Sequence, residues 1–204
     1  MIDDPFRKVL PRFTAPLIRF YRRYGLSPNQ ITLMALLLAG LASVAVGIGL
    51  EIVALILWWS SRLLDGTDGI LARETQQSSD FGAFLDIVCD MAAYSVMIFG
   101  FASLYPEYEA RWMTMLFFYV LCITGALSLG AIEERRALSP GDNRGIRLAA
   151  GLAEGGETGI AYSAFLLFPD WIGITTLIWI TVLVFTVAAR ATLAWTLLRP
   201  DHHE

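Results

Sequence analysis

Six apolar segments constrain this chain more than any other feature. They run over 30–50, 52–73, 81–104, 112–132, 152–168 and 171–198. Each approaches or exceeds the ~20 residues that a helix needs to cross ~30 Å of hydrocarbon. Inside a bilayer the backbone must satisfy its own polar groups, which helices do within one segment. Only 17% of the 204 residues are charged and 56% are hydrophobic, against about 25% charged in an ordinary soluble domain. The expectation is therefore an all-α integral membrane protein, a six-transmembrane-helix bundle with short connections at 49–51, 106–111 and 168–171. The net charge of -4 says less than the distribution of charge, and no nucleic-acid partner is expected. Cys89 and Cys122 both fall in apolar segments, which predicts buried free thiols rather than a disulfide framework.

The cations then orient the bundle. Arg7, Lys8, Arg12, Arg19, Arg22 and Arg23 precede the first segment, Arg73 follows the second, Arg135, Arg136, Arg144 and Arg147 follow the fourth, and Arg199 follows the sixth. Six spans gather all of these on one side and leave Arg111 opposite, so both termini are predicted to be cytoplasmic. Residues 1–26 read as a cytoplasmic interfacial arm and 27–204 as the six-helix catalytic domain. In the arm, Phe6, Val9, Leu10, Phe13, Leu17 and Phe20 lie near helical spacing, as in an amphipathic helix lying on the membrane surface. Pro5, Pro11 and Pro16 interrupt it and it has no apolar core of signal-peptide length, so no cleavage is expected.

Four aspartates carry the chemistry. Asp65 and Asp68 are three apart and Asp86 and Asp90 four apart, so each pair shares one helix face. The two helices are consecutive and antiparallel, which brings the acids to the cytoplasmic end of a hairpin. A charged residue at membrane depth costs ~2.5–3.5 kcal/mol on insertion scales, and these four also repel one another. A cation must balance them, and an all-oxygen ligand set favours Mg²⁺ or Mn²⁺. Neutralisation by neighbouring arginines, such as Arg62 one turn before Asp65, is the competing reading. It gives no reason for four acids at this spacing with Gly66, Gly69 and Gly82 among them. Those glycines leave room for a group to approach the helix backbone or for close helix packing.

The run Asp-x2-Asp-Gly-x2-Ala-Arg-x8-Gly-x3-Asp-x3-Asp, from Asp65 to Asp90, resembles the signature of the CDP-alcohol phosphotransferase family at every fixed position. Ser27-Pro28-Asn29-Gln30-Ile31-Thr32 is similar to the segment that opens the first span of many members. The resemblance implies a homodimeric enzyme of phospholipid synthesis in a bacterial inner membrane, with its active site facing the cytoplasm. It would move a phosphatidyl-type group from CDP-diacylglycerol, or a similar CDP-lipid, to a small alcohol with release of CMP. It implies Asp65, Asp68 and Asp86 as ligands for Mg²⁺ or Mn²⁺, two ions being expected. Asp90 would be the proton acceptor and a further ligand. Pro28, Asn29, Gln30, Gly69, Ala72, Arg73, Ser79 and Gly82 would bind the CDP donor, and the planar fork of Arg73 suits a pyrophosphate. Small residues on the third and fourth spans, including Gly100, Ala102, Gly125 and Ala126, agree with a homodimer.

The acceptor is less constrained. Arg135, Arg144, Arg147 and Arg190 suit a polyol phosphate such as glycerol 3-phosphate or inositol phosphate. Glu154 and Glu157 suit an amino alcohol or the hydroxyls of a polyol. Two other activities fit paired aspartates in a membrane. One is a Mg²⁺-dependent prenyltransferase, which has more spans and another aspartate spacing. The other is a divalent cation transporter, whose acids would line a pore instead of clustering at one end.

Overall fold

The computed structural model describes residues 14–137 and 155–198, and every regular element among them is helical. A short helix, α1, covers 14–23. It is followed by α2 (Pro28–Gly47), α3 (Glu51–Glu74), α4 (Asp80–Leu104), α5 (Glu109–Ala137), α6 (Gly155–Leu167) and α7 (Ile172–Leu198). Single 3₁₀ turns at Pro106–Tyr108 and Pro169–Trp171 open the way into α5 and α7.

Helices α2 to α7 stand on the six predicted segments, but they are not alike. The helices α2, α4, α5 and α7 are long and apolar enough to cross a membrane. Helix α3 has the length, 24 residues, yet carries Arg62, Asp65, Asp68 and Arg73 from its middle to its end. Helix α6 runs for 13 residues, and the start of its predicted segment lies outside the described residues. Four helices thus meet the requirement by length and composition, with two of different character packed among them.

Three sharp reversals set the register. Gly25 and Gly49 take positive φ of 65° and 75° after α1 and α2. In each the next amide reaches back to the helix, Leu26 N to Tyr21 O at 3.0 Å and Leu50 N to Ala45 O at 2.8 Å, which closes a Schellman cap. The third reversal follows α3, where Gln76 holds the left-handed position at φ 55° and Gln77 N bonds Ala72 O at 2.8 Å. At the start of α2, Ser27 and Gln30 form a reciprocal capping box.

Helix α2 is the centre of the N-terminal half. Its small residues Ala35, Ala39 and Ala42 are fully buried, while Leu33, Leu37 and Leu41 stand exposed. Small residues inside and large apolar ones outside are what close helix packing in lipid requires. Helix α2 packs closely against both α3 and α4, whereas the α3 and α4 backbones barely approach one another. The expected hairpin is therefore splayed in its backbone, and its acid-bearing faces meet through side chains. At Gly100 a Cβ would lie 2.4 Å from the Ser43 carbonyl oxygen, and at Gly125 one would lie 3.2 Å from Arg190 Cδ. Both glycines are thus used within the chain, and the small-residue argument for a homodimer loses these two positions.

Helix α1 docks beneath the ends of α2 and α3. Ile18 and Tyr21 bury against Ile31, Ile70 and Leu71, and Tyr21 Oη lies 3.2 Å from Thr67 Oγ1. Burial holds the Tyr21 phenol above its ordinary range, so it is a neutral hydrogen-bonding group. Phe20 and Tyr24 remain exposed on the opposite side. Phe6, Val9, Leu10 and Phe13 of the predicted amphipathic face lie outside the described residues.

Candidate active site

The first turn of α2, the last turns of α3 and the first turns of α4 converge at one end of the bundle and enclose a cleft of about 210 Å³. Helix α2 contributes Pro28, Asn29 and Thr32, and α3 contributes Asp68, Gly69, Ala72 and Arg73. The left-handed turn at Gln76 swings Gln77, Ser78 and Ser79 across the mouth, and Gly82, Ala83 and Asp86 of α4 complete the wall. Ser79 caps α4 by accepting from Gly82 N at 3.0 Å. A Cβ at Gly82 would meet Ser79 Oγ at 3.2 Å and Asn29 Oδ1 at 3.3 Å, so the absence of a side chain there lets α2 and α4 close on each other.

Seven of the eight residues expected at the donor site, Pro28, Asn29, Gly69, Ala72, Arg73, Ser79 and Gly82, share this cleft. Gln30 does not line it. Its Oε1 accepts from Ser27 N at 2.9 Å, because the cap at the start of α2 claims the side chain. Thr32, Gln77, Ser78 and Ala83 also line the cleft and are absent from the sequence expectation. A Ser-Pro-Asn-Gln-x-Thr start with the hydroxyl one turn after Pro28 could have signalled Thr32, whereas Gln77 and Ser78 depend on a turn with no glycine to announce it.

Asp65, Asp68 and Asp86 each offer a carboxylate oxygen within 4.8 Å of the others. Thr32 donates to Asp68 Oδ2 and Gly69 N to Asp68 Oδ1, which fixes the deepest of the three. Asp90 has a different partner. Its Oδ1 is bonded by Arg62 Nη1, which also lies 3.5 Å from Asp65 Oδ2. The Arg62 guanidinium sits over the rings of Trp58 and Tyr94, at 4.8 and 5.2 Å, a cation–π arrangement. Arg62 thus does belong to the cluster, although the sequence offers it only as a competing explanation for the acids.

One guanidinium cannot balance four carboxylates. Among the described residues Asp68 and Asp86 have no cation in ion-pair contact. Three converging carboxylates with oxygen donors alone fit Mg²⁺ or Mn²⁺ and give zinc or copper no soft ligand.

The described acceptor candidates stand on three helices, α5, α6 and α7. Arg135 stands exposed near the end of α5 and Glu157 lies in the first turn of α6. Arg190 reaches from α7 onto α5, donating from Nη1 to the Cys122 carbonyl. Arg144, Arg147 and Glu154 lie outside the described residues.

A sequence profile of the CDP-alcohol phosphatidyltransferase family matches residues 26–198. The Escherichia coli (strain K12) inner membrane protein YnjF is 30% identical over 84% of both chains. An archaetidylinositol phosphate synthase of Pyrococcus horikoshii is 30% identical over 62% of this chain and 74% of its own. In fold, the chain is similar to the Mycobacterium tuberculosis phosphatidylinositol phosphate synthase crystallised with CDP-diacylglycerol. That match has a TM-score of 0.67 and 22% identity, covering 91% of this chain and 94% of the other. The same mycobacterial protein has also been crystallised with manganese and citrate, with a TM-score of 0.64 at 21% identity.

Proposed function

This chain belongs to the CDP-alcohol phosphatidyltransferase family, and on that premise we propose that it moves a phosphatidyl-type group from a CDP-lipid to a polyol phosphate, with release of CMP. It is an integral membrane enzyme. The observation that carries the reading is the convergence of Asp65, Asp68 and Asp86 beside a cleft lined by Asn29, Arg73, Ser79 and Gly82. Acids that collect a divalent cation and donors that collect a phosphate meet at one place.

Asp65, Asp68 and Asp86 would hold Mg²⁺ or Mn²⁺, which supplies charge stabilisation to the pyrophosphate and to departing CMP. Arg73 and the hydroxyl of Ser79 donate charge-assisted hydrogen bonds to phosphate oxygens. Gly69 and Gly82 keep the wall free of side chains where the cytidine approaches. At about 210 Å³ the cleft falls below the ~300–1,000 Å³ of pockets that enclose a whole ligand. It therefore takes the head of the donor and leaves the acyl chains outside, beside exposed Phe81 and Phe84.

Asp90 receives the acceptor's hydroxyl proton. As that O–H bond breaks, the acceptor oxygen forms its bond to the lipid-side phosphorus. The phosphorus–oxygen bond to CMP breaks, and its electron pair leaves on CMP. Arg190, Arg135, Arg144 and Arg147 supply positive charge for a phosphorylated acceptor, with Glu154 and Glu157 for its hydroxyls. Relatives named for inositol phosphate products support this choice over an amino alcohol. By the distribution of arginines the site and both termini face the cytoplasm, in a membrane equivalent to the bacterial inner membrane.

The test is acceptor screening with purified protein, CDP-diacylglycerol and Mg²⁺ or Mn²⁺. Inositol 1-phosphate and glycerol 3-phosphate should support CMP release, and serine or ethanolamine should not. Release with an amino alcohol alone would overturn the acceptor class, and no release with any acceptor would overturn the activity.

A further inference from the structure

We infer that Tyr21 of α1 is a positioning residue for this reaction: its hydroxyl, bonded to Thr67, fixes the turn of α3 that carries Asp65 and Asp68. What that turn does rests on the reading above, and the tie between α1 and α3 rests on geometry.

Thr67 stands between the two acids in the chain but is put to another use. It is fully buried, and whereas Asp68 lines the cleft, Thr67 does not. Ile18 and Tyr21 pack there against Ile31, Ile70 and Leu71, so α1 covers the side of the acid-bearing turn that the cleft leaves free. Thr67 Oγ1 carries one proton and donates it to the Leu64 carbonyl at 2.7 Å. Its lone pairs are left to accept, which makes Tyr21 Oη, 3.2 Å away, the donor. The backbone of Tyr21 is held as well, because its carbonyl accepts from Leu26 N at 3.0 Å in the turn toward α2.

The tie matters because α3 and α4 do not position each other. Their backbones barely approach, yet oxygens of Asp65 and Asp68 meet one of Asp86 across that space, all within 4.8 Å. A divalent cation is demanding of its ligands, Mg²⁺ taking them octahedrally at ~2.0–2.1 Å. Any rotation of α3 about its axis carries both acids together, and that rotation is set from two other helices. From α2, Thr32 donates to Asp68 Oδ2. From α1, Tyr21 donates to Thr67. Apolar contact alone is non-directional, whereas a hydrogen bond holds a distance and an angle.

Packing does not account for the hydroxyl. Tyr21 is 2% exposed, while Phe20 and Tyr24 beside it are 50% and 64% exposed. A phenylalanine at 21 would fill the same apolar site, and Thr67 would keep its bond to the Leu64 carbonyl. The phenol oxygen adds direction to a contact that burial already supplies.

The experiment uses the full chain in nanodiscs, with Mn²⁺ alone as the binding probe, read by EPR titration. CDP-diacylglycerol with inositol 1-phosphate serves for turnover. Tyr21→Phe should leave Tm nearly unchanged and weaken Mn²⁺ binding about 3–10-fold, the effect of one net hydrogen bond. Turnover should fall with it at limiting Mn²⁺ and recover as Mn²⁺ is raised. Thr67→Val should weaken Mn²⁺ binding to the same degree, and Thr67→Ser, which keeps the acceptor, should recover most of it. In a Thr67→Val background Tyr21→Phe should change nothing further. Unchanged Mn²⁺ affinity in Tyr21→Phe, or an equal loss in the Thr67→Val background, would overturn the inference. A loss of affinity that tracks a lowered Tm would overturn it too, since the tie would then serve only the fold. If Tyr21→Phe fails to insert, Thr67→Val compared with Thr67→Ser carries the same decision. A wild-type chain that releases no CMP counts against the phosphatidyltransferase reading, while the Mn²⁺ titrations still decide the role of Tyr21.

Discussion

The bundle holds two polar clusters that share Tyr94, and they are satisfied in different ways. In the first, Tyr162 donates to the Tyr94 carbonyl at 2.9 Å and shares a hydrogen bond with the Tyr119 hydroxyl at 3.0 Å. Tyr119 also accepts from Trp179 Nε1 at 2.8 Å. All of these groups are neutral, buried and mutually paired, so the cluster needs nothing from outside. In the second, Arg62 reaches the Tyr94 hydroxyl on one side and two of four carboxylates on the other. That cluster carries net negative charge which its own residues do not balance. Neutral closed networks rigidify a core, whereas an unbalanced one is prepared for a ligand that brings the missing charge.

If this division is right, perturbations of the two clusters should differ in kind. The largest effect belongs to the ion. Excess chelator should abolish CMP release, and Asp65→Asn or Asp86→Asn should reduce it at least ~10²-fold by weakening charge stabilisation of the transition state. Full activity in chelator would remove the metal from the mechanism. Asp90→Asn should cost ~10²–10⁴ in turnover, the usual range for a lost general base, yet leave CDP-lipid affinity within a few-fold. Binding and turnover that fall together, with rescue by raised Mn²⁺, would instead make Asp90 a ligand.

Smaller effects test the edges of the comparison. Gly82→Ala places a methyl against Ser79 Oγ and Asn29 Oδ1. It should raise donor KM several-fold, an increment of roughly 1 kcal/mol, as for a mild overpacking, with little change in kcat. Equal donor KM in wild type and variant would separate this wall from the donor. Tyr119→Phe leaves Trp179 Nε1 without its acceptor and should destabilise the protein by ~1–3 kcal/mol, visible as a lowered Tm. Turnover per folded molecule should be unchanged. Loss of turnover without loss of stability would show that the tyrosine cluster serves the reaction.

The two clusters were also unequally legible in the sequence. The acids and the cleft wall follow from a short run, Asp65 to Asp90, whose spacing fixes helix faces directly. Thr32, Gln77 and Ser78 did not follow, because their arrival depends on how α2 meets α3 and on a left-handed Gln76. A glycine there would have announced the turn. Arg62 was visible at i,i+3 from Asp65, but its tie to Asp90 is a contact across 28 residues that no local pattern encodes. The spread of α3 and α4 escaped for a similar reason: adjacency in sequence suggested a hairpin, while both helices pack against α2 more than against each other. Tyr94, Tyr119, Tyr162 and Trp179 carry no signal at all, since aromatic residues in apolar helices are the ordinary filling of a core.

The interlock between α2 and α4 has a consequence for how this protein enters its membrane. Ser43 Oγ donates to the Val96 carbonyl, joining residues 53 apart, and Gly100 leaves no slack where the two backbones touch. This half of the bundle cannot close as its helices emerge one after another from the insertion machinery. Helix α3 must wait beside α2, with Asp65 and Asp68 lacking the carboxylate partners of α4, until α4 has followed. A substitution such as Gly100→Ala would prolong that interval, so its first symptom would be a lower yield of inserted protein, before any defect in the chemistry of the molecules that succeed.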